Sequence, residues 1–189
     1  MHKQLRIAFI GASGTGKTTL ANILGARYAI PFNPVGARSV ASAMGYGTPY
    51  DADRAGERTL FQQRLIADKM LWEKEHVDFV TDRTAIDNLV YHIMHAPAAV
   101  TRAHVDSAMR AMHRYTHILW CMKADFQKLS TDGFHVSSPV YHDAYEALTS
   151  HYMWHFVRAG GRAPIQVRGS TVESRIGSVE WQLPAGASK

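Results

Sequence analysis

Apolar positions along this chain switch between two periods. Leu5-Arg6-Ile7-Ala8-Phe9-Ile10 is short and nearly continuous, the pattern of a strand buried on both faces, and Leu20, Ile23, Leu24 and Tyr28 then recur at helical spacing. Further short apolar runs predict strands at 77–81, 117–121 and 164–167, with a weaker one around Ile30 to Val35. Between them, apolar residues three or four apart predict helices over 57–75, 85–95, 102–113, 141–157 and 172–181. Strands that alternate with helices imply a three-layer α/β fold: about five parallel strands joined by right-handed crossovers, with helices on both faces. Ligands of such folds gather at the carboxyl ends of the strands.

The chain has 189 residues, 46% of them hydrophobic, enough to bury one sizeable core, so residues 1–183 read as a single domain and 184–189 as a flexible tail. Apolar stretches are far shorter than a bilayer span, and Met1-His2-Lys3-Gln4 leads straight into a strand; the expectation is a cytoplasmic protein with no membrane partner. The single cysteine, Cys121, lies in an apolar run and reads as a buried, inert thiol. A net charge of +5 favours an anionic partner without saying which anion.

The chemistry is concentrated between the first strand and the first helix. Gly11-Ala12-Ser13-Gly14-Thr15-Gly16-Lys17-Thr18 satisfies G-x-x-x-x-G-K-[ST] in full, in the strand–loop–helix setting its mechanism demands. Glycines let the backbone curl so that successive N–H groups face a phosphate, and the helix N-terminus adds a favourable dipole. Lys17 then reaches the β- and γ-phosphates of ATP, the Thr18 hydroxyl enters the shell of a Mg²⁺ ion, and Thr19 completes the set. A GTPase switch is the competing reading, since Asp53-Arg54-Ala55-Gly56 has the form D-x-x-G and Met122-Lys123-Ala124-Asp125 approaches N-K-x-D. Asp53, however, follows no apolar strand, and Met122 stands where the guanine-reading asparagine is needed.

Asp82 closes the strand predicted at 77–81. A carboxylate there sits beside the P-loop if the two strands are neighbours, where it can serve as Mg²⁺ ligand or accept a proton from an acceptor hydroxyl; the sequence leaves both roles open. Arg83 is a candidate phosphate clamp or an ion-pair partner of Asp87. Arg83, Asp87 and Tyr91 follow one another at i, i+4 and i+8 and can face one cleft, as candidate substrate contacts, yet Thr84-Ala85-Ile86-Asp87 also reads as a capping box.

Taken together, the P-loop, the run from Ile30 through Arg38, the D-R-[ST]-x-x-D-x-x-x-Y element at 82–91 and Thr131-Asp132-Gly133-Phe134 resemble the small kinase-like P-loop ATPases that include the ribosylnicotinamide kinase domain and bacteriophage nucleotide and hydroxymethyluracil kinases. The resemblance implies ATP-dependent phosphoryl transfer, with Mg²⁺, to a nucleotide or nucleoside, in a bacterial or phage-infected cell. It also implies an adenine-contacting loop at Gly169-Ser170-Thr171, with Ser170 as candidate. Two departures matter. Pro34-Val35-Gly36-Ala37-Arg38 lacks the acid that usually precedes the arginine, which moves any general-base role to Asp82 and leaves Arg38 as a candidate acceptor-phosphate ligand. His135 stands where the family tends to place arginine, and no lysine or arginine occurs from Leu129 to Val157, so lid charge must come from His135 and His142 or from Arg158 and Arg162.

His151 and His155 are four apart and could bind a metal from one helix face, but the glutamate of a metalloprotease helix is missing and no metal site other than Mg²⁺ is expected. The cleft is expected between helices 101–114 and 140–158. A kinase acting on 5-hydroxymethyluracil within DNA is the alternative acceptor reading: Arg102, Arg110 and Arg114 are expected to form a basic face, with Arg54, Arg58 and Arg64 as a second stripe.

Overall fold

The computed structural model describes residues 4–122 and 138–184. Four strands, β1 (Arg6–Ile10), β2 (Phe79–Thr81), β3 (His117–Cys121) and β4 (Ile165–Val167), form one parallel sheet in the order β2-β1-β3-β4. The weaker strand expected around Ile30 to Val35 is reduced to a single parallel bridge between Phe32 and Val80. Pro31 and Pro34 bracket that bridge, and a residue with no N–H cannot extend a ladder. The backbone supplies what bonds remain: Val80 N donates to Pro31 O at 2.9 Å and Asn33 N to Val80 O at 2.8 Å.

Side chains of β1 alternate between two cores. Ile7 and Phe9 join Leu20 and Leu24 of α1 (Lys17–Tyr28) and Ile176 and Val179 of α8 (Val172–Glu180). Ala8 and Ile10 face the opposite way, onto Ile86 and Val90 of α5 (Ala85–His95), Met112 of α6 (Arg102–Met112), and Tyr145, Met153 and Phe156 of α7 (Pro139–Arg158). Period-two alternation in a strand covered on both faces is what makes its sequence continuously apolar. Two short helices, α2 (Ala37–Ala43) and α3 (Asp51–Arg54), and the long α4 (Arg58–Glu75) enclose a satellite cluster of Val40, Ala41, Ala52, Phe61 and Leu65 beside β2. Parallel strands direct the P-loop after β1 and the Asp82 turn after β2 to the same edge, where these helices wall off a cleft.

Among the described residues no helix is long and apolar enough to cross a membrane.

Candidate functional site

The P-loop wraps as its glycines permit. Gly14 and Gly16 take φ values of 77° and 75°, a left-handed conformation that side chains resist, and Gly16 then caps α1. Gly11 is fixed by contact as well as by its φ of 139°: a Cβ there would lie 2.2 Å from the carbonyl oxygen of Cys121, so β3 presses directly on the start of the loop. Cys121 is buried, and burial pushes its thiol up to about 11, which leaves it inert at neutral pH.

The Lys17 ammonium is buried and turned into the loop, donating to the Ala12 carbonyl and, at 3.2 Å, to the Thr15 hydroxyl. Burial, reinforced by the nearby Arg83 cation, brings it down to about 8. Thr18, at the loop's exit, donates its hydroxyl to the Asp82 carboxylate from the end of β2. Burial pushes the Asp82 carboxyl upward, but Arg83, the Thr18 hydroxyl and the ammoniums of Lys17 and Lys69 outweigh it and hold the group below its ordinary value. Two hard oxygen donors thus meet at one point, a donor set suited to Mg²⁺.

Arg83 reaches across the loop. Its guanidinium lies 3.4 Å from Ser13 Oγ and 3.5 Å from the Gly11 carbonyl, and stacks over the Tyr91 ring at 4.7 Å; the Tyr91 hydroxyl and Ser13 Oγ are 3.0 Å apart. The helical spacing therefore does bring Arg83 and Tyr91 to one wall. Asp87 is not part of that wall. It is 0% exposed and accepts from the Thr84 N–H and hydroxyl, both at 2.7 Å, from the Tyr145 hydroxyl, and from the Gly11 N–H at 3.4 Å; Arg83 lies 3.5 Å away. The capping box prevails over substrate contact because the cap turns the carboxylate back toward its own helix N-terminus.

The cleft beside Thr18 and Asp82 has a volume of about 570 Å³. Its walls carry Arg38 of α2, Arg58, Phe61, Gln62 and Lys69 of α4, and Asn88, Tyr91 and His95 of α5. Tyr141 of α7 closes it, bonded to His95 Nε2 at 2.7 Å. Burial, with the Arg58 cation adding to it, brings His95 down to about 4, so the Tyr141–His95 pair is neutral around pH 7. Contrary to expectation, helix 101–114 contributes no side chain here: α6 packs behind α5, and the opposite wall is α4 with the 32–39 segment.

Other expected residues fall elsewhere. His135 lies outside the described residues, as do the Thr131–Phe134 stretch and the lysine and aspartate of the N-K-x-D resemblance. Arg158 and Arg162 do not line the cleft; Arg158 stacks on Trp154 at 4.6 Å. His142 is buried within α7. Ser170 is exposed in the turn before α8, next to Gly169, whose φ is 119°, and to Thr171, which caps the helix by accepting from Ser174 N at 3.1 Å. Thr19 is exposed on the first turn of α1. Asp53 sits in α3, 3.5 Å from Arg58, rather than at a strand end as a GTPase switch requires.

The basic faces are largely neutralised. Arg102 pairs with Asp106 at 2.9 Å, and Arg114, beyond the end of α6, points inward with Nη1 3.7 Å from the buried Glu73, so Arg110 and Arg114 do not share a helix face. Arg54 and Arg64 pair with Asp51 and Asp68 at 2.9 and 2.6 Å. Two contributors to the site gave no signal in the sequence. Arg175 of α8, 2% exposed, donates to the Thr15 carbonyl at 2.8 Å and ties the P-loop to α8; Lys69, on α4, bonds to Thr81 beside Asp82. Neither belongs to a motif, and only the folded chain brings them to the site.

Comparison with solved structures gives the same fold at low identity. NadR in complex with NAD and AMP-PNP aligns with a TM-score of 0.57 and 15% identity over 94% of this chain and 49% of its own, so this chain spans about half of NadR. Shikimate kinase from Aquifex aeolicus aligns at 0.55 and 19% over 93% of this chain and 94% of its own. Deoxyadenosine kinase from M. mycoides, bound to dCMP and dCDP, aligns at 0.57 and 13% over 94% and 98%. No curated protein matches the sequence significantly. A family profile described as an AAA domain matches residues 6–167, which takes in the P-loop, the Asp82 turn and all four strands, and the chain accordingly belongs to that AAA domain family.

Proposed function

We propose that the protein is a kinase that transfers the γ-phosphate of ATP to a hydroxyl or phosphate of a nucleotide or nucleoside. The observation that carries this reading is the meeting of Thr18 and Asp82 at the mouth of a separate cleft, so that a triphosphate held on the P-loop ends where a second molecule can lie. An acceptor requires such a second compartment at the end of the triphosphate. Tyr91 and Tyr141 offer flat apolar surface and Gln62 and Asn88 amides, a mixture suited to a base, while Arg38 and Arg58 suit an acceptor phosphate. NadR, shikimate kinase and deoxyadenosine kinase, kinases by the names of the last two, support the fold-level part of the reading; their acceptors differ, so the cleft of this chain has to identify its own.

In this reading Lys17 follows the β- and γ-phosphates, Arg83 clamps the transferring group from the opposite side, and Asp82 with Thr18 holds Mg²⁺ or takes the acceptor's proton. Mg²⁺ bound there neutralises and orients the triphosphate oxygens. Ser170 lies in the turn proposed to contact adenine. Transfer of label from γ-labelled ATP to a panel of nucleosides, nucleoside monophosphates and hydroxymethylated DNA tests the proposal. Label on an acceptor is expected, and label appearing only as free phosphate overturns it. In the same assay Asp82→Asn should lower transfer by about 10²- to 10⁴-fold while leaving the fold intact.

The DNA acceptor is the weaker alternative. Arg110 is exposed on α6, but none of Arg102, Arg110 and Arg114 lines the cleft, and a cavity of about 570 Å³ fits a mononucleotide without requiring a duplex surface.

A further inference from the structure

Two lysine ammoniums are buried among the described residues, and only Lys17 belongs to the P-loop. Lys69, on α4, is 4% exposed. Its Nζ donates to the hydroxyl of Thr81, the residue before Asp82, and that hydroxyl in turn lies 3.4 Å from the carbonyl of Arg83, the residue after it. The ammonium therefore brackets the Asp82 turn from below. Its counter-ion is Glu73, one helical turn along α4 at 3.7 Å, itself 2% exposed and backed by Arg114 at 3.7 Å and the Tyr115 hydroxyl at 3.4 Å. Asp82 and Asp87 add attraction and Arg83 repulsion.

Stability alone does not explain such a pair. Two buried charges are costly to desolvate, and apolar residues of similar volume commonly serve a core as well or better. What the pair supplies is direction: a three-donor cation held rigidly beneath the turn that carries the site's carboxylate, and also lining the floor of the acceptor cleft.

We propose that Lys69 is a positioning residue which, through the Thr81 hydroxyl, fixes the 81–83 turn so that the Asp82 carboxylate stays against Thr18. The assignment rests on the reading of Asp82 given above. Lys69 touches no reacting atom; it acts through the strand end.

Three variants test it. Lys69→Met alone strands Glu73, so Lys69→Met with Glu73→Gln removes both charges together, and Thr81→Val removes the hydroxyl while sparing both. Amide hydrogen exchange without nucleotide should rise by about tenfold or more at Asp82 and Arg83, with exchange in β1 and β3 unchanged. ADP release from Mg·ATP with water as acceptor should show turnover reduced by about tenfold or more and the KM for ATP within about threefold of the parent, since binding stays with the P-loop. Exchange at 82–83 and turnover both at parental levels in Thr81→Val, the mildest variant, would overturn the inference. Asp82→Asn runs alongside as the separate control. If it retains turnover, the role given to Asp82 fails, while the exchange result still decides whether Lys69 anchors the turn.

Discussion

Replacing Asp87 with alanine separates a structural carboxylate from a substrate ligand. The substitution removes the acceptor for the Thr84 N–H and hydroxyl, both at 2.7 Å, for the Tyr145 hydroxyl and for the Gly11 N–H at 3.4 Å. Losing a capping residue's reciprocal bond costs roughly 1 kcal/mol. Leaving a buried hydroxyl without its charged acceptor adds about 1 to 3 kcal/mol, and the Gly11 N–H, at its longer distance, about 0.5 to 1. The sum is about 2.5 to 5 kcal/mol, a large part of the roughly 5 to 15 kcal/mol of a whole domain. At about 2 to 4 °C per kcal/mol for a chain of this size, Tm should fall by on the order of 10 °C in scanning calorimetry. A double-mutant cycle with Tyr145→Phe should return a coupling of about 1 kcal/mol or more, because the two side chains share one buried bond. Destabilisation under about 1 kcal/mol, with a raised KM for the acceptor, would refute this reasoning and return Asp87 to the cleft.

The remaining expectations concern the phosphate side. Lys17→Met should abolish measurable ATP binding by calorimetry with little change in Tm, since the ammonium's role is toward phosphate and its burial opposes its charge. The Lys17 ammonium is brought down to about 8 in the free protein, whereas bound phosphates favour its charged form; ATP affinity should hold below pH 8 and fall by up to about tenfold per pH unit above it, and a flat profile to pH 9.5 would contradict the burial argument. Gly11→Ala should destabilise and impair nucleotide binding together, because the methyl would meet the Cys121 carbonyl at 2.2 Å; Gly45→Ala, with open space around it, isolates the backbone strain alone. If DNA is bound, Arg102→Glu with Arg110→Glu should weaken it and flatten its salt dependence, whereas Arg114→Glu is the wrong probe, since it sets a carboxylate against the buried Glu73.

The inner sheet was legible because its strands are covered on both faces: the 117–121 run is bounded in the sequence as it is in the fold, and the P-loop carries its own chemistry in eight consecutive positions. The 77–81 run is two residues longer than the strand, since Val77 and Asp78 precede β2 and Val77 is 58% exposed. The short helices at Ala37–Ala43 and Asp51–Arg54 span too few turns for a period to emerge. For Asp87 the sequence offers both a cap and a cleft-facing series, and the bonds from Tyr145 and the Gly11 N–H, 58 and 76 positions away, join those of the cap in holding the carboxylate inward. Lys69 and Arg175 were invisible for a related reason: what ties each to the site, the Thr81 hydroxyl for Lys69 and the Thr15 carbonyl for Arg175, reaches it only in the fold.

The single rung between Phe32 and Val80 divides the molecule by how readily it can change. Behind it, the phosphate machinery is locked into a sheet packed on both faces, and most substitutions there disturb nucleotide binding and folding at once. In front of it, the stretch bracketed by Pro31 and Pro34 and continuing into the half-exposed helix that bears Arg38 is moored to β2 by two backbone bonds, Val80 N to Pro31 O and Asn33 N to Val80 O. Selection can therefore redraw one bank of the acceptor cleft without touching the engine, and a library randomised at Val35, Arg38 and Ser39 should yield folded, ATP-binding proteins with altered acceptor preference far more often than one randomised at Ile7, Phe9 and Leu119.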